Sequence, residues 1–265
     1  MNKIVILIGP QHDRELIAVH SHLTKTNANI LWWNSDNWPG NYPFDLSVNN
    51  SSQTLRINQQ AIENINSVYV RGLNTNPKLP RFEKDLNSRP FALLNQLDEA
   101  RSLFFSGMEL LESKGTNIVN PVATMSVHSL KPMQMNLFQR AGLGIPDTLV
   151  TGDANAVIDF YHQHNGDVIY KPLGGGGYVR ALSKNDLTKE RLSLLSNSPV
   201  MFQKRIYGEN LRLYIINNEL VAAGKIKTDK LDYRTQEHDV EQIQPDSEII
   251  NAALQATQVL GLTLA

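Results

Sequence analysis

Val168-Ile169-Tyr170-Lys171-Pro172-Leu173-Gly174-Gly175-Gly176-Gly177-Tyr178-Val179-Arg180-Ala181-Leu182 is the stretch on which the fold turns. A β-branched and aromatic run ends in a single lysine, four glycines follow, and a second apolar-alternating run returns. The pattern reads as strand, turn and strand with an ammonium group at the mouth of the turn. Consecutive glycines leave the backbone free to adopt positive φ and to aim several N–H groups at one object. Converging amides beside Lys171 form an anion site, for which phosphate is the usual occupant. A hairpin with a surface lysine is the plain alternative, and this stretch alone leaves it open.

Upstream, the chain opens β-α-β. Ile4 to Ile8 is an unbroken apolar strand, Asp13 can cap a helix from Arg14 to about Thr26, and Asn29 to Trp33 is the next strand. Residues 34–50 read as an irregular loop, Gln53 to Ile57 and Ser67 to Arg71 as strands with a short helix around 59–64, and 75–87 as a loop. Pro90 to Lys114 carries one broad apolar stripe at helical spacing, including Leu93, Leu97, Phe104 and Met108. A helix from about Ser126 to Arg140 carries Lys131, and Asp153 can cap another to about His164. Pro199 to Gln203 is an apolar strand. Asn210 to Ile216 and Glu219 to Ile226 alternate as a hairpin across Asn217-Asn218, and Glu248 to Leu260 is a last helix. The shift in pattern near Asn120 predicts an N-terminal α/β domain with a parallel sheet over 1–120 and an α+β domain over 121–265.

Composition narrows the function classes. A chain of 265 residues, 41% hydrophobic and 19% charged, is ordinary for a globular protein. A net charge of −1 argues against a nucleic-acid partner. The absence of cysteine removes disulfides, thiolate metal sites and cysteine nucleophiles, and fits a reducing compartment. No apolar run approaches the roughly 20 residues that span a bilayer. The expectation is a cytoplasmic protein without membrane contact; a homo-oligomer is compatible with the sequence.

Four features recur in order in the second half. They are the helix with Lys131 followed by Gly142-Leu143-Gly144-Ile145-Pro146, the Tyr170-Lys171-Pro172 glycine run, Phe202-Gln203-Lys204-Arg205-Ile206 with Glu209-Asn210-Leu211-Arg212, and Asp232-Tyr233-Arg234. This ordered set resembles the ATP-grasp ligases, with the ribosomal-protein glutamylating ligases and the graspetide (microviridin-type) peptide maturases as the nearest likenesses. The resemblance implies a pre-ATP-grasp-like domain followed by an ATP-grasp-like domain, with ATP and Mg2+ as cofactors. It implies that Lys131 and Lys171 hold phosphates and that Gly174, Gly175, Gly176 and Gly177 form the loop over them. It further implies that Gln203, Lys204 and Ile206 form the adenine-binding hinge, largely through backbone groups. Asn210 stands where the family places an acidic ribose ligand, and Glu209 beside it is the alternative. Arg212 and Arg234 correspond to the arginines that meet the transferred phosphoryl group or acyl-phosphate.

In the family, a segment after Leu-Gly-Leu-x-x-Ala carries the acidic residues and asparagine that ligate magnesium. This sequence closes at Leu260-Gly261-Leu262-Thr263-Leu264-Ala265, so the ATP-grasp-like part is expected to be C-terminally incomplete and its metal ligands unassigned. Asp229, Asp232 and Glu237 are candidates by proximity alone. The histidines show no metal spacing beyond the near pairs His20/His22 and His162/His164, whose i, i+2 members diverge on a helix. The expected function is an ATP-dependent carboxylate–amine or carboxylate–hydroxyl ligase working through an acyl-phosphate on a peptide or amino acid. The alternative is a non-catalytic nucleotide- or partner-binding protein of the same fold.

Overall fold

Ile4-Val5-Ile6-Leu7-Ile8 presents an apolar side chain at every position, and such a strand needs cover on both faces. The computed structural model, which describes residues 3–40, 43–174 and 177–265, provides it. In β1 (Ile4–Gly9), Ile6, Leu7 and Ile8 are fully buried. Asp13 caps α1 (Arg14–Lys25), its carboxylate accepting the Leu16 N–H at 2.9 Å. The chain then returns as β2 (Asn29–Asn34), parallel to β1.

Next comes an antiparallel meander of β3 (Phe44–Val48), β4 (Gln53–Ile57) and β5 (Gln60–Ala61). Here the structure departs from the sequence expectation of a loop over 34–50 and a helix at 59–64. Asn58 and Gln59 hold φ of 51° and 66°. Two successive left-handed residues make a two-residue hairpin turn, so the chain reverses instead of coiling. β6 (Ile65–Val70) lies on the free side of β1. A short α2 (Glu83–Ser88) occupies part of the expected loop, and α3 (Pro90–Ser113) and β7 (Asn117–Val119) follow. The parallel sheet runs β2-β1-β6-β7.

The chain forms two compact units, Met1–Val122 and Ala123–Ala265. The second begins with α4 (Lys131–Arg140), β8 (Thr148–Thr151), α5 (Ala154–Gln163), β9 (Val168–Lys171) and β10 (Arg180–Ala181). After α6 (Lys189–Ser193), β11 (Val200–Lys204) completes an antiparallel sheet in the order β10-β9-β11-β8. A second sheet holds β12 (Asn210–Ile216), β13 (Glu219–Lys227) and β14 (Asp239–Gln242), the last unanticipated from sequence. Asn217 and Asn218 turn the β12–β13 hairpin at φ of 49° and 65°. α7 (Ser247–Val259) closes the order. Among the described residues no helix is long and apolar enough to cross a membrane.

In the first unit, Trp33, Trp38, Phe44 and Phe104 pack ring against ring, with Trp33–Phe44 centroids 4.6 Å apart. Gly107 lets α3 approach that cluster, since a Cβ there would fall 2.5 Å from the Phe44 ring. Helix propensity alone favours Gly107→Ala by up to about 1 kcal/mol. The clash with a buried ring outweighs it, so the variant is expected to lose about 1–3 kcal/mol net in denaturant unfolding.

Candidate functional site

Alternation along β9 sorts its side chains between two environments. Strand register pairs Tyr170 with Phe202 and Phe202 with Leu149, so these three share a face. Val168 lies on that face too, and with Phe202 it joins Val157 and Tyr161 of α5 and Leu192 of α6 in one core cluster. Ile169, paired with Gln203, and Lys171, paired with Met201, necessarily point the other way. An apolar cavity of about 290 Å³ between Tyr170, Phe202 and Leu192 lies on the core face, opposite Lys171.

Lys171 is half-buried and has no ion-pair partner among the described residues. Burial pushes its ammonium below the ordinary value, and the nearby charges of Lys131 and Arg234 push it further. Lys131, the first residue of α4, donates to the carbonyls of Pro172 and Leu173 where the glycine turn begins. Its own ammonium is lowered by burial and then by Arg234. Arg234 donates from Nη2 to the Gly177 carbonyl at 3.2 Å, where the turn ends, and its guanidinium lies 5.7 Å from the Tyr178 ring. Three cations therefore gather at the ends of this stretch, and among the described residues only Arg234 has an acid beside it.

That acid is Asp232, a buried residue. Its Oδ1 accepts from Arg234 Nε at 2.8 Å and its Oδ2 from Arg234 Nη2 at 2.5 Å. The Val179 N–H donates to Oδ2 at 2.9 Å. Arg234 holds the carboxyl far below the usual carboxylate range. Both oxygens of Asp232, a metal-ligand candidate by proximity alone, are thus engaged by N–H donors. Sequence reading missed this role; the Asp-Tyr-Arg spacing was its one visible signal.

The remaining expected residues are placed as follows. Gly174 stands in open space, whereas a Cβ on Gly177 would lie 2.6 Å from Pro172. Gly175 and Gly176 lie outside the described residues. Gln203 is buried and donates from its side chain to Thr148 Oγ1 at 2.8 Å. The N–H groups of Lys204 and Arg205 go to the carbonyls of Asp147 and Asp167, at 2.9 and 2.8 Å. The Ile206 N–H bonds to nothing among the described residues, and its side chain is 66% exposed. Glu209 forms an ion pair with Lys225, while Asn210 opens β12 opposite Ile226. Arg212 is exposed on β12, 5.9 Å from the rings of both Tyr214 and Tyr233, which sets it beside the Asp232–Arg234 segment. Among the described residues no group of three or more His, Asp or Glu could hold a metal ion.

No family model matches the sequence. The glutamate–LysW ligase ArgX of Sulfolobus acidocaldarius is 24% identical over 193 residues, 68% of this chain and 68% of that protein. Among solved structures, the ATP-grasp ligase PsnB, complexed with a phosphomimetic variant of minimal precursor, Mg and ADP, superposes with a TM-score of 0.87. It is 27% identical over 100% of this chain and 84% of its own. The chain is a member of the ATP-grasp ligase superfamily. The macrocyclase MdnC of Microcystis aeruginosa MRC, bound with precursor peptide MdnA, shares the fold at a TM-score of 0.78 and 20% identity, covering 98% of this chain and 85% of that one. The mixed α/β architecture, one parallel sheet followed by antiparallel sheets, agrees with the fold class expected from sequence.

The lowered Lys171 ammonium has a definite sign. Below its folded-state pKa the buried charge costs stability in full, and the cost is relieved as pH rises toward the ordinary value of 10.5. In the absence of anions, Lys171→Met is expected to raise the melting temperature at neutral pH and to flatten the stability rise on the alkaline side. Scanning calorimetry across pH reads both.

Proposed function

We propose that this chain is an ADP-forming ligase that activates a carboxylate with ATP and passes the acyl group to an amine or hydroxyl of a peptide or amino acid. The observation that carries this reading is Lys171, half-buried between Lys131 and Arg234 with no acid of its own. Such an arrangement costs stability until a multiply charged anion arrives, and a triphosphate meets three converging cations best. The free Ile206 N–H, downstream of the same sheet, suits the edge of a base. Resemblance to ATP-grasp ligases supplies the reaction.

In that reaction the substrate carboxylate attacks the γ-phosphorus, the bond to the β–γ bridging oxygen breaks, and ADP leaves. The acceptor nitrogen or oxygen then attacks the acyl carbon, inorganic phosphate departs, and the acceptor loses a proton. Lys131, Lys171 and Arg234 offset the charge that gathers when carboxylate and triphosphate meet. The family resemblance assigns Gly174 to Gly177 to the loop over the phosphates. The role of holding the carboxylate or acyl-phosphate oxygens falls in this reading to Arg212, whose guanidinium lies 5.9 Å from the Tyr233 ring beside Arg234. Magnesium, implied by the superfamily, would neutralise phosphate oxygens. Among the described residues no cluster of three or more His, Asp or Glu could hold it, so no step is assigned to it.

The alternative reading is nucleotide binding without turnover. Both are tested on the purified chain with Mg·ATP. ATP at about 100 times its dissociation constant should stabilise the fold by about 2.7 kcal/mol. Lys171→Ala should abolish that shift. ADP release on adding amino acids or peptides supports the ligase, a shift without release supports the binding protein, and no shift in the wild type overturns both.

A further inference from the structure

Arg234 has five N–H groups in a rigid fork, and a carboxylate can accept about four hydrogen bonds. Asp232 takes Nε and one N–H of Nη2, and the Gly177 carbonyl takes another from Nη2. The Nη1 amine bonds to nothing among the described residues. Asp232 is itself buried to 6% exposure, whereas the arginine side chain is 49% exposed. The carboxylate is thus the buried partner of the pair and the guanidinium the exposed one. An arginine paired with a neighbour two residues away would need only the fork. Here the carboxylate also accepts the Arg234 N–H at 3.1 Å and, from 53 residues away, the Val179 N–H.

We propose that Asp232 is a positioning residue: it sets the plane of Arg234 and ties that arginine to the end of the glycine turn. Arg234 and the Gly177–Val179 segment then keep a fixed mutual position. The proposal rests on the nucleotide reading above and adds to it a residue that never touches the nucleotide.

A double-mutant cycle on ATP affinity decides it, with wild type, Arg234→Ala, Asp232→Asn and the double variant compared by calorimetry. Each single change should weaken ATP by about tenfold or more, the scale of one lost charge-assisted contact. The double variant should bind no more weakly than Arg234→Ala, because Asp232 acts through the arginine. Additive losses, or wild-type affinity in Asp232→Asn, overturn the proposal. Should Asp232→Asn fail to fold, Arg234→Lys keeps the charge without the fork: a similar loss supports positioning, and retained affinity overturns it. If the wild type binds no ATP, the nucleotide reading fails separately. Hydrogen exchange then decides, with faster exchange confined to 177–181 in Asp232→Asn in favour and unchanged protection against.

Discussion

The two-residue period of β9 is the constraint from which the site follows. Val168 and Tyr170 must reach the core formed with α5 and α6, and the same alternation sends Ile169 and Lys171 to the opposite face. A one-residue slip would bury the lysine in that core and expose the tyrosine, so the packing of one face fixes the chemistry of the other. Register with β11 extends this sorting: Phe202 joins the core while Gln203 turns toward Thr148 on the lysine's side.

The glycine turn is held at both ends by cations. Lys131 grips the carbonyls of Pro172 and Leu173, and Arg234 grips that of Gly177. Neutral carbonyls are weaker acceptors than phosphate oxygens, so an arriving anion can draw on donors that the turn now occupies. Close packing adds a limit of its own, for Pro172 leaves no room for a side chain at Gly177. Polar ties and steric contact together shape the turn's ends.

Features written in local pattern were legible from the sequence. The apolar run of β1, the Asp13 and Asp153 caps, the Asn217-Asn218 turn and the lysine before the glycines each carry their meaning within a few residues. What depended on distant partners was not. β3 needs β4 beside it, β14 needs β13, and neither has the composition of a strand covered on both faces. Asn58-Gln59 turned a stretch that had looked helical, because asparagine tolerates the left-handed region and its flanks could pair. Asp232 was visible only as a nearby acid. Its buried carboxylate gains its role from Val179, and no spacing rule joins those two positions.

Identity near a quarter of positions accompanies a TM-score of 0.87 to PsnB, and the physics of the site suggests why fold likeness outlasts identity. Alternation asks only that every second residue be apolar, and the close approach at Gly177 asks only for the missing side chain. Lys171 is half-buried without an acid among the described residues, and burial together with the charges of Lys131 and Arg234 disfavours its ammonium form. Groups perturbed in this way cluster at functional sites, which is why the proposed nucleotide reading starts from Lys171 and not from the surrounding sheet.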